Sequence, residues 1–556
     1  MLQHNKLIEL QHNKLVIELP KTSVRTPMAL PSEKLAESLE VLHRLQSANG
    51  AAAIRARDLT RVHRERLLAN GFLQEVIKGW YIPTRPDEKK RESTAWYASF
   101  WRFAAVYLET RFGKSWSLSP EQSLSLHGGN WTVPRQLAVR SPRAKNNVTK
   151  LPHGTSLLDL KSALPPPADR KEKDGLRIYS LEAALIECSP QYFASHATDA
   201  RAAMAMVRDA SALLAKLLEG GHSTIAGRLA GAFRNGDRER IADEIVKTMS
   251  AAGYAVREAD PFNDRPALAL PTREASPYVN RVRLLWQKMR KPVIARFPKA
   301  PGLPRNVEAY MKGVEKAYVT DAYHSLSIEG YRVSTELIER VRSGSWNPEA
   351  NERDRNERNA MAARGYFQAF QVVEKSIGRV LKGENPGVVA EEGHREWYRE
   401  MFAPSVTAGI LEPPDLAGYR NGQVYIRQSM HVPLNRDAVR DAMPAMFDLL
   451  TEENDPAVRV VLGHFVFVYI HPYMDGNGRM GRFLMNVMMA AGGYPWTVVP
   501  VGDRNAYMAA LEKASVGEDI GSFANFLAKL VEKRLAGEPL PSVPKSGKAM
   551  HEWHTT

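Results

Sequence analysis

His471-Pro-Tyr-Met-Asp-Gly-Asn-Gly-Arg-Met-Gly-Arg482 is a polar stretch set between two apolar runs. Val458-Arg-Val-Val-Leu-Gly-His-Phe-Val-Phe-Val-Tyr-Ile470 leads in, and Phe483-Leu-Met-Asn-Val-Met-Met-Ala-Ala491 leads out. The pattern reads as helix, tight loop, helix. Loop glycines free backbone N–H groups to turn inward, and a helix N-terminus follows at once, which together make an anion site. His471 is the loop's only group that titrates near neutrality, so it is the candidate general base for a hydroxyl. Asp475 offers hard oxygens suited to Mg2+ alongside phosphate oxygens. Gly476, Asn477 and Gly478 can cradle a phosphate. Arg479 and Arg482, three apart, share one side of the second helix and present planar forks for bidentate phosphate binding. A surface turn with solvated arginines would account for any one of these residues. The ordered set points to phosphate chemistry.

The stretch resembles the signature of the Fic family, His-Pro-Phe-x-Asp/Glu-Gly-Asn-Gly-Arg-x-x-Arg, with Tyr473 standing for the phenylalanine. That ring anchors the loop in the family, so Tyr473 should serve if its hydroxyl finds a partner. The resemblance implies a mainly α protein: an all-helical core with a β-hairpin flap. It also implies transfer of AMP from ATP to a Ser, Thr or Tyr hydroxyl of a target protein, or of the chain itself. His471 would deprotonate that hydroxyl, Asp475 would hold Mg2+ across the α- and β-phosphates, and the Gly-Asn-Gly turn would stabilise the α-phosphate. Doc-like kinases, a related branch, lack the glycine and final arginine kept here as Gly478 and Arg482. That favours nucleotidyl over phosphoryl transfer.

Far upstream, Ser325-Leu-Ser-Ile-Glu329-Gly330 resembles the family's inhibitory pattern, Ser/Thr-x-x-x-Glu-Gly/Asn. It closes a helical stretch beginning at Val307, with Gly330 as a C-terminal stop. Glu329 would compete with the nucleotide γ-phosphate for Arg482, which predicts weak activity until the glutamate is removed. Between the motifs, Tyr419-Arg-Asn-Gly-Gln-Val-Tyr-Ile426 pairs an Asn-Gly turn with alternating β-formers, the signal for a hairpin. Tyr419, Val424, Tyr425 and Ile426 are its candidate flap residues, which in the family align a target segment by strand addition. Asn486 and Tyr507 are weaker candidates for nucleoside contacts.

At 556 residues the chain should form several domains. The expected division is a tail over 1–30, a winged helix-turn-helix over 31–95, an α+β to helical region over 96–275, the Fic domain with its inhibitory helix over 276–537, and a disordered tail over 538–556. One cysteine, Cys188, excludes disulfides within the chain. The absence of a signal peptide or an apolar run of membrane-spanning length points to a cytoplasmic protein without membrane partners.

A net charge of +14 and a pI near 9.6 raise DNA as a partner. The run Ile54–Leu68 carries Arg55, Arg57, Arg61, Arg64 and Arg66 in one expected helix, preceded by a buried stripe of Leu35, Leu39, Leu42 and Leu45. Gly71–Pro83 reads as two strands around Lys78-Gly79. This region resembles the winged-helix domain of AbiEi-type antitoxins, with Arg55, Arg57, Arg61, Arg64 and Lys78 as DNA contacts. Pro165-Pro-Pro167 and the charges after it read as a linker or loop, and Ser180–Ala252 as helical scaffold. Two alternatives stay open: a DNA-binding, antitoxin-like regulator whose Fic core senses nucleotide, and an enzyme that removes AMP. The nucleotide's identity and the oligomeric state, a homodimer included, are not fixed by the sequence.

Overall fold

The computed structural model describes residues 30–49, 53–86, 92–265, 276–346 and 358–543. Residues 1–29 and 544–556, expected as tails, lie outside these. The chain is mainly helical, and among the described residues its small sheets all fall in the N-terminal half.

The first helix, Pro31–Asn49, packs Leu39, Leu42 and Leu45 on Leu67, Leu73 and Tyr81. Strands β1 (Ile54–Arg55), β2 (Leu73–Ile77) and β3 (Trp80–Pro83) form an antiparallel sheet of order β1-β3-β2, turning at Lys78-Gly79. The basic helix is shorter than its charge run suggests. Ile54-Arg55 is strand, Ala56–Asp58 is one 3-10 turn, and the helix spans Arg61–Ala69. Thr60 sets that start, its hydroxyl accepting from the His63 amide.

A second sheet has the order β4 (Ser117–Leu118), β5 (Gln136–Ser141), β7 (Ser156–Lys161), β6 (Val148–Lys150), with β5 and β7 parallel. The expected linker after Pro165 is instead followed directly by a hairpin, β8 (Arg170–Lys173) with β9 (Leu176–Tyr179). Asp174 and Gly175 both take positive φ, 51° and 78°, the two-residue turn whose twist suits a hairpin. Helices then run from Leu181 to Ala251, as the apolar spacing there suggests.

From Tyr278 to Val531 one continuous core joins the helices of the C-terminal half. Its centre is the helix Pro456–Ile470, apolar on nearly every side and therefore buried on nearly every side. Asp455 caps it, accepting from the Ala457 and Val458 amides, and Pro456 occupies the first helical position. The helix Asn477–Gly492 returns antiparallel beside it. The expected hairpin over 419–426 is not formed: residues 423–426 pair with no strand among the described residues. Side chains satisfy the backbone there instead, Arg420 Nη1 donating to Gly422 O at 2.8 Å and Gln423 Nε2 to Pro433 O at 2.9 Å. Among the described residues, no helix is long and apolar enough to cross a membrane.

Burial in this half of the chain disfavours the charged imidazole, holding His324, His394, His464 and His471 at about 4 and His431 at about 3. Unfolded, each would titrate near its ordinary value of about 6.5. The unfolded chain therefore binds more protons as pH falls below that value, so stability is full above it and declines through the window down to about 4. Thermal melts should show the highest Tm at or above neutral pH and a steady fall between pH 6.5 and 4.5. A Tm flat across that window would contradict this account.

Candidate functional site

His471 ends the leading helix in the left-handed conformation, φ 56° and ψ 62°, its amide donating to Phe467 O at 3.0 Å. A non-glycine residue persists there only when its surroundings hold it. Its Nδ1 lies 3.1 Å from Val468 O. A carbonyl can only accept, so the bond puts the proton on Nδ1 and leaves the Nε2 lone pair free. The half-buried ring, with its pKa pulled down to about 4 by burial, is neutral at physiological pH.

Asn477 closes the bend in both directions, Oδ1 accepting from the Tyr473 amide at 2.9 Å and Nδ2 donating to Tyr473 O at 2.8 Å. The Tyr473 ring stacks on Tyr398 with centroids 3.7 Å apart. Its hydroxyl is buried without a hydrogen-bond partner among the described residues, so the condition set for the Phe-to-Tyr exchange is not met. Gly476 has φ 79°, and a Cβ there would lie 2.8 Å from the Phe402 ring. Only glycine fits that step.

Asp475 is mostly exposed, one oxygen accepting from the Gly476 amide at 2.6 Å and the other 3.3 Å from Arg479 Nη2. Among the described residues no group of three or more His, Cys, Asp or Glu could hold a metal ion. A divalent cation at this bend would therefore rest on Asp475 and on phosphate oxygens brought by a ligand, a donor set that suits Mg2+.

Both arginines are buried. The Arg479 guanidinium sits between the rings of Tyr331 and Phe402, at 5.2 and 5.0 Å. Arg482 donates from Nε to Ser325 Oγ at 2.9 Å, and from Nη2 to Ser325 O at 3.0 Å and Glu329 Oε1 at 2.8 Å. Arg479 Nε and Arg482 Nη1 are buried and make no hydrogen bond among the described residues, which leaves them as spare donors. A Cβ on Gly478 would lie 2.3 Å from the same Glu329 oxygen, so that carboxylate rests against the glycine turn. Burial works to raise the Glu329 pKa, but Arg482 and Arg479 outweigh it and hold the carboxyl below its ordinary value.

Ser325 and Glu329 reach the bend because the helix Val307–Ile328 ends beside it. Asn306 caps that helix, and Gly330 with φ 86° stops it as its position in the sequence suggests. Arg504 Nε fixes the end by donating to Ile328 O at 2.9 Å.

Of the flap residues, Tyr419 lies under the bend, its hydroxyl 2.9 Å from His394 Nε2, while Val424 and Ile426 are half-buried and Tyr425 is exposed. Sequence reasoning missed Arg420. Its Nε donates to His471 O at 2.7 Å, its amide to Pro472 O at 2.9 Å, and Nη2 to Leu434 O. Next to Asn-Gly it looks like any solvated arginine; no signal marks it. Asn486 is taken up by the core, and Tyr507, though buried, lies beside Arg482. Asn486 pins Thr497 in both directions, and the Tyr507 hydroxyl meets His464 Nε2 at 2.7 Å.

The expected DNA contacts divide between side chains with internal partners and exposed ones. Arg55 pairs with Asp58 at 2.9 Å, Arg64 donates to Ala56 O at 3.0 Å, and Arg66 donates to Ser38 Oγ at 2.8 Å. Arg61 meets Glu65 at the surface, and Arg57 and Lys78 are exposed.

The orphaned hydroxyl yields a stability prediction. A buried polar group without a partner costs roughly 1–3 kcal/mol. Tyr473→Phe should therefore hold or raise the urea midpoint, by about 1 kcal/mol in unfolding free energy. A clear loss of stability would show that the hydroxyl has a partner.

Residues 391–489 match the Fic/DOC family model. The protein adenylyltransferase Fic of Nematostella vectensis is 27% identical over 282 residues, which cover 50% of this chain and 60% of that protein. Protein adenylyltransferase fic-1 of Caenorhabditis elegans is 27% identical over 226 residues, 40% of this chain and 41% of that one. The chain thus spans about half the length of these curated relatives. Among solved structures, Fic-1 from C. elegans aligns over 62% of this chain and 96% of its own at 19% identity, with a TM-score of 0.34. A Fic domain containing signaling protein from Bacteroides thetaiotaomicron aligns over 48% and 100% at 16% identity, with a TM-score of 0.33.

Proposed function

Starting from a Fic domain related to the protein adenylyltransferases, we propose that this chain transfers AMP from ATP to a hydroxyl side chain of a protein, and that Glu329 restrains it. The carrying observation is the Glu329 carboxylate, which rests on Arg482 and against Gly478. The bend binds an anion already, and the anion is the protein's own. A nucleotide phosphate would use the same donors, together with the spare Arg479 Nε and Arg482 Nη1.

In this reading the neutral His471 accepts the hydroxyl proton on Nε2. The target oxygen bonds to the α-phosphorus, the bond from that phosphorus to the bridging oxygen of the β-phosphate breaks, and pyrophosphate leaves. Arg479 and Arg482 offset charge developing on the leaving group. Asp475 would hold Mg2+ together with phosphate oxygens, and a bound ion there would supply further charge neutralisation. While Glu329 occupies Arg482, the triphosphate cannot seat its α-phosphorus in line. A displacement of about 1 Å can cost on the order of 100-fold in rate.

The test compares wild type, Glu329→Gly and His471→Ala with α-labelled and, separately, γ-labelled ATP. Label should enter protein from the α position alone, rise on the order of 100-fold in Glu329→Gly, vanish in His471→Ala, and vanish when EDTA removes the divalent cation. Label from the γ position would make the chain a kinase. Loss of AMP from pre-modified protein would instead favour AMP removal. Incorporation in none of these would favour the DNA-binding regulator, a reading weakened by how many of its arginines are spent on internal partners. Binding of that N-terminal region to a duplex at low salt, falling steeply as salt rises, would revive it.

A further inference from the structure

His471 is held from the flap side by Arg420, and a second clamp reaches it from the opposite end of the chain. Tyr469 lies two residues before His471 on the last turn of the leading helix. Its hydroxyl accepts from Arg281 Nε at 2.9 Å, and its carbonyl accepts from His431 Nε2 at 2.8 Å, with the two rings stacked 4.2 Å apart. Arg281 sits on the helix Pro277–Ile294 with only 2% of its side chain exposed. Its remaining donors are fixed by two carboxylates: Nη1 pairs with Asp199, and Nη2 donates to Glu518 Oε1 at 2.8 Å. Glu518 is satisfied in turn by Lys288 at 2.7 Å and Thr198 Oγ1 at 2.6 Å.

Asp199 belongs to the N-terminal half, on the helix Ala197–Ala205, outside the residues that match the family model. It is locked there, accepting from Ser125 Oγ at 2.7 Å and from Asn130 Nδ2 at 3.1 Å. The same half also grips the chain beyond the flap. Arg427 pairs with Glu92, the Gln428 amide donates to Thr94 Oγ1 at 3.0 Å, and Met430 is buried in the N-terminal core.

A guanidinium has a fixed plane. With Nη1 and Nη2 each bound to a carboxylate, Nε can point in only one direction, and Tyr469 stands there. We propose that Asp199 is a positioning residue for His471, acting through Arg281 and Tyr469 to hold the imidazole in its left-handed perch. Removing one of the two anions would let the guanidinium turn toward Glu518 and release Tyr469. The N-terminal half is then part of the catalytic apparatus, an inference that rests on the transferase reading above for its activity arm.

The test uses the full chain in the Glu329→Gly background, with Asp199→Asn, Asp199→Glu and a control, Asp159→Asn. Asp159 is equally buried in the N-terminal sheet and ion-paired with Arg111 at 2.6 Å, and its other bonds, from the Lys145 and Asn147 amides, stay beside that sheet. Hydrogen exchange at the amides of Tyr469, Ile470, His471 and Tyr473 should quicken about tenfold in Asp199→Asn as local opening becomes easier, and stay unchanged in Asp159→Asn. With α-labelled ATP and Mg2+, kcat should fall about tenfold while KM for ATP stays within about twofold, and Asp199→Glu should recover part of the loss. Unchanged exchange at those amides in Asp199→Asn, or an equal rise in Asp159→Asn, would overturn the proposal. If the parent variant incorporates no label, the transferase reading falls, and the exchange measurement still decides whether the clamp exists.

Discussion

A guanidinium cannot shed its proton, so a buried one must always have an anion or a ring of acceptors beside it. Arg482 is such a group, 2% exposed and set in the first turns of a buried helix. Taking its charge out of water costs several kcal/mol, which its partners must offset. Ser325 and Glu329 do so here, both from the end of one upstream helix. Whatever else reaches the bend must take over that task. In the proposed reading this makes inhibition a matter of which oxygens satisfy one arginine.

The base depends on a different constraint. The left-handed backbone of His471 disfavours itself, and it persists because contacts converge on it from Arg420, the leading helix and the N-terminal half. The Val468 carbonyl selects the tautomer, and burial keeps the ring neutral. Position and protonation state thus come from different neighbours, so substitutions can separate them.

Local signals in the sequence sufficed for the helix-bend-helix unit. Its apolar runs and the glycines of the turn all act within a few residues of one another. Gly330 and the hairpin at Lys78-Gly79 were legible for the same reason. Two misreadings were local signals passed over. Thr60 cut short a helix that the arginine run had extended, and Asp174-Gly175 made a hairpin from charges read as a loop. The Asn421-Gly422 pair gave no hairpin: neither residue takes the positive φ that a two-residue turn needs, and the Gly422 carbonyl is bound by the buried Arg420. Arg281 and Arg420 were invisible because their partners come from distant segments: Asp199 stands 82 residues before Arg281, and His471 stands 51 after Arg420. Periodicity records which face is buried, not which polar group a buried arginine will find.

The competition at Arg482 can be read directly from nucleotide affinity, by calorimetric titration of wild type and Glu329→Gly with ATP and with AMP in the presence of Mg2+. If Glu329 holds the fork that a terminal phosphate needs, removing it should tighten ATP by about tenfold or more while AMP changes little, as expected for a charge-assisted bond gained by the longer nucleotide alone. Equal changes for ATP and AMP, or no change for either, would contradict the account.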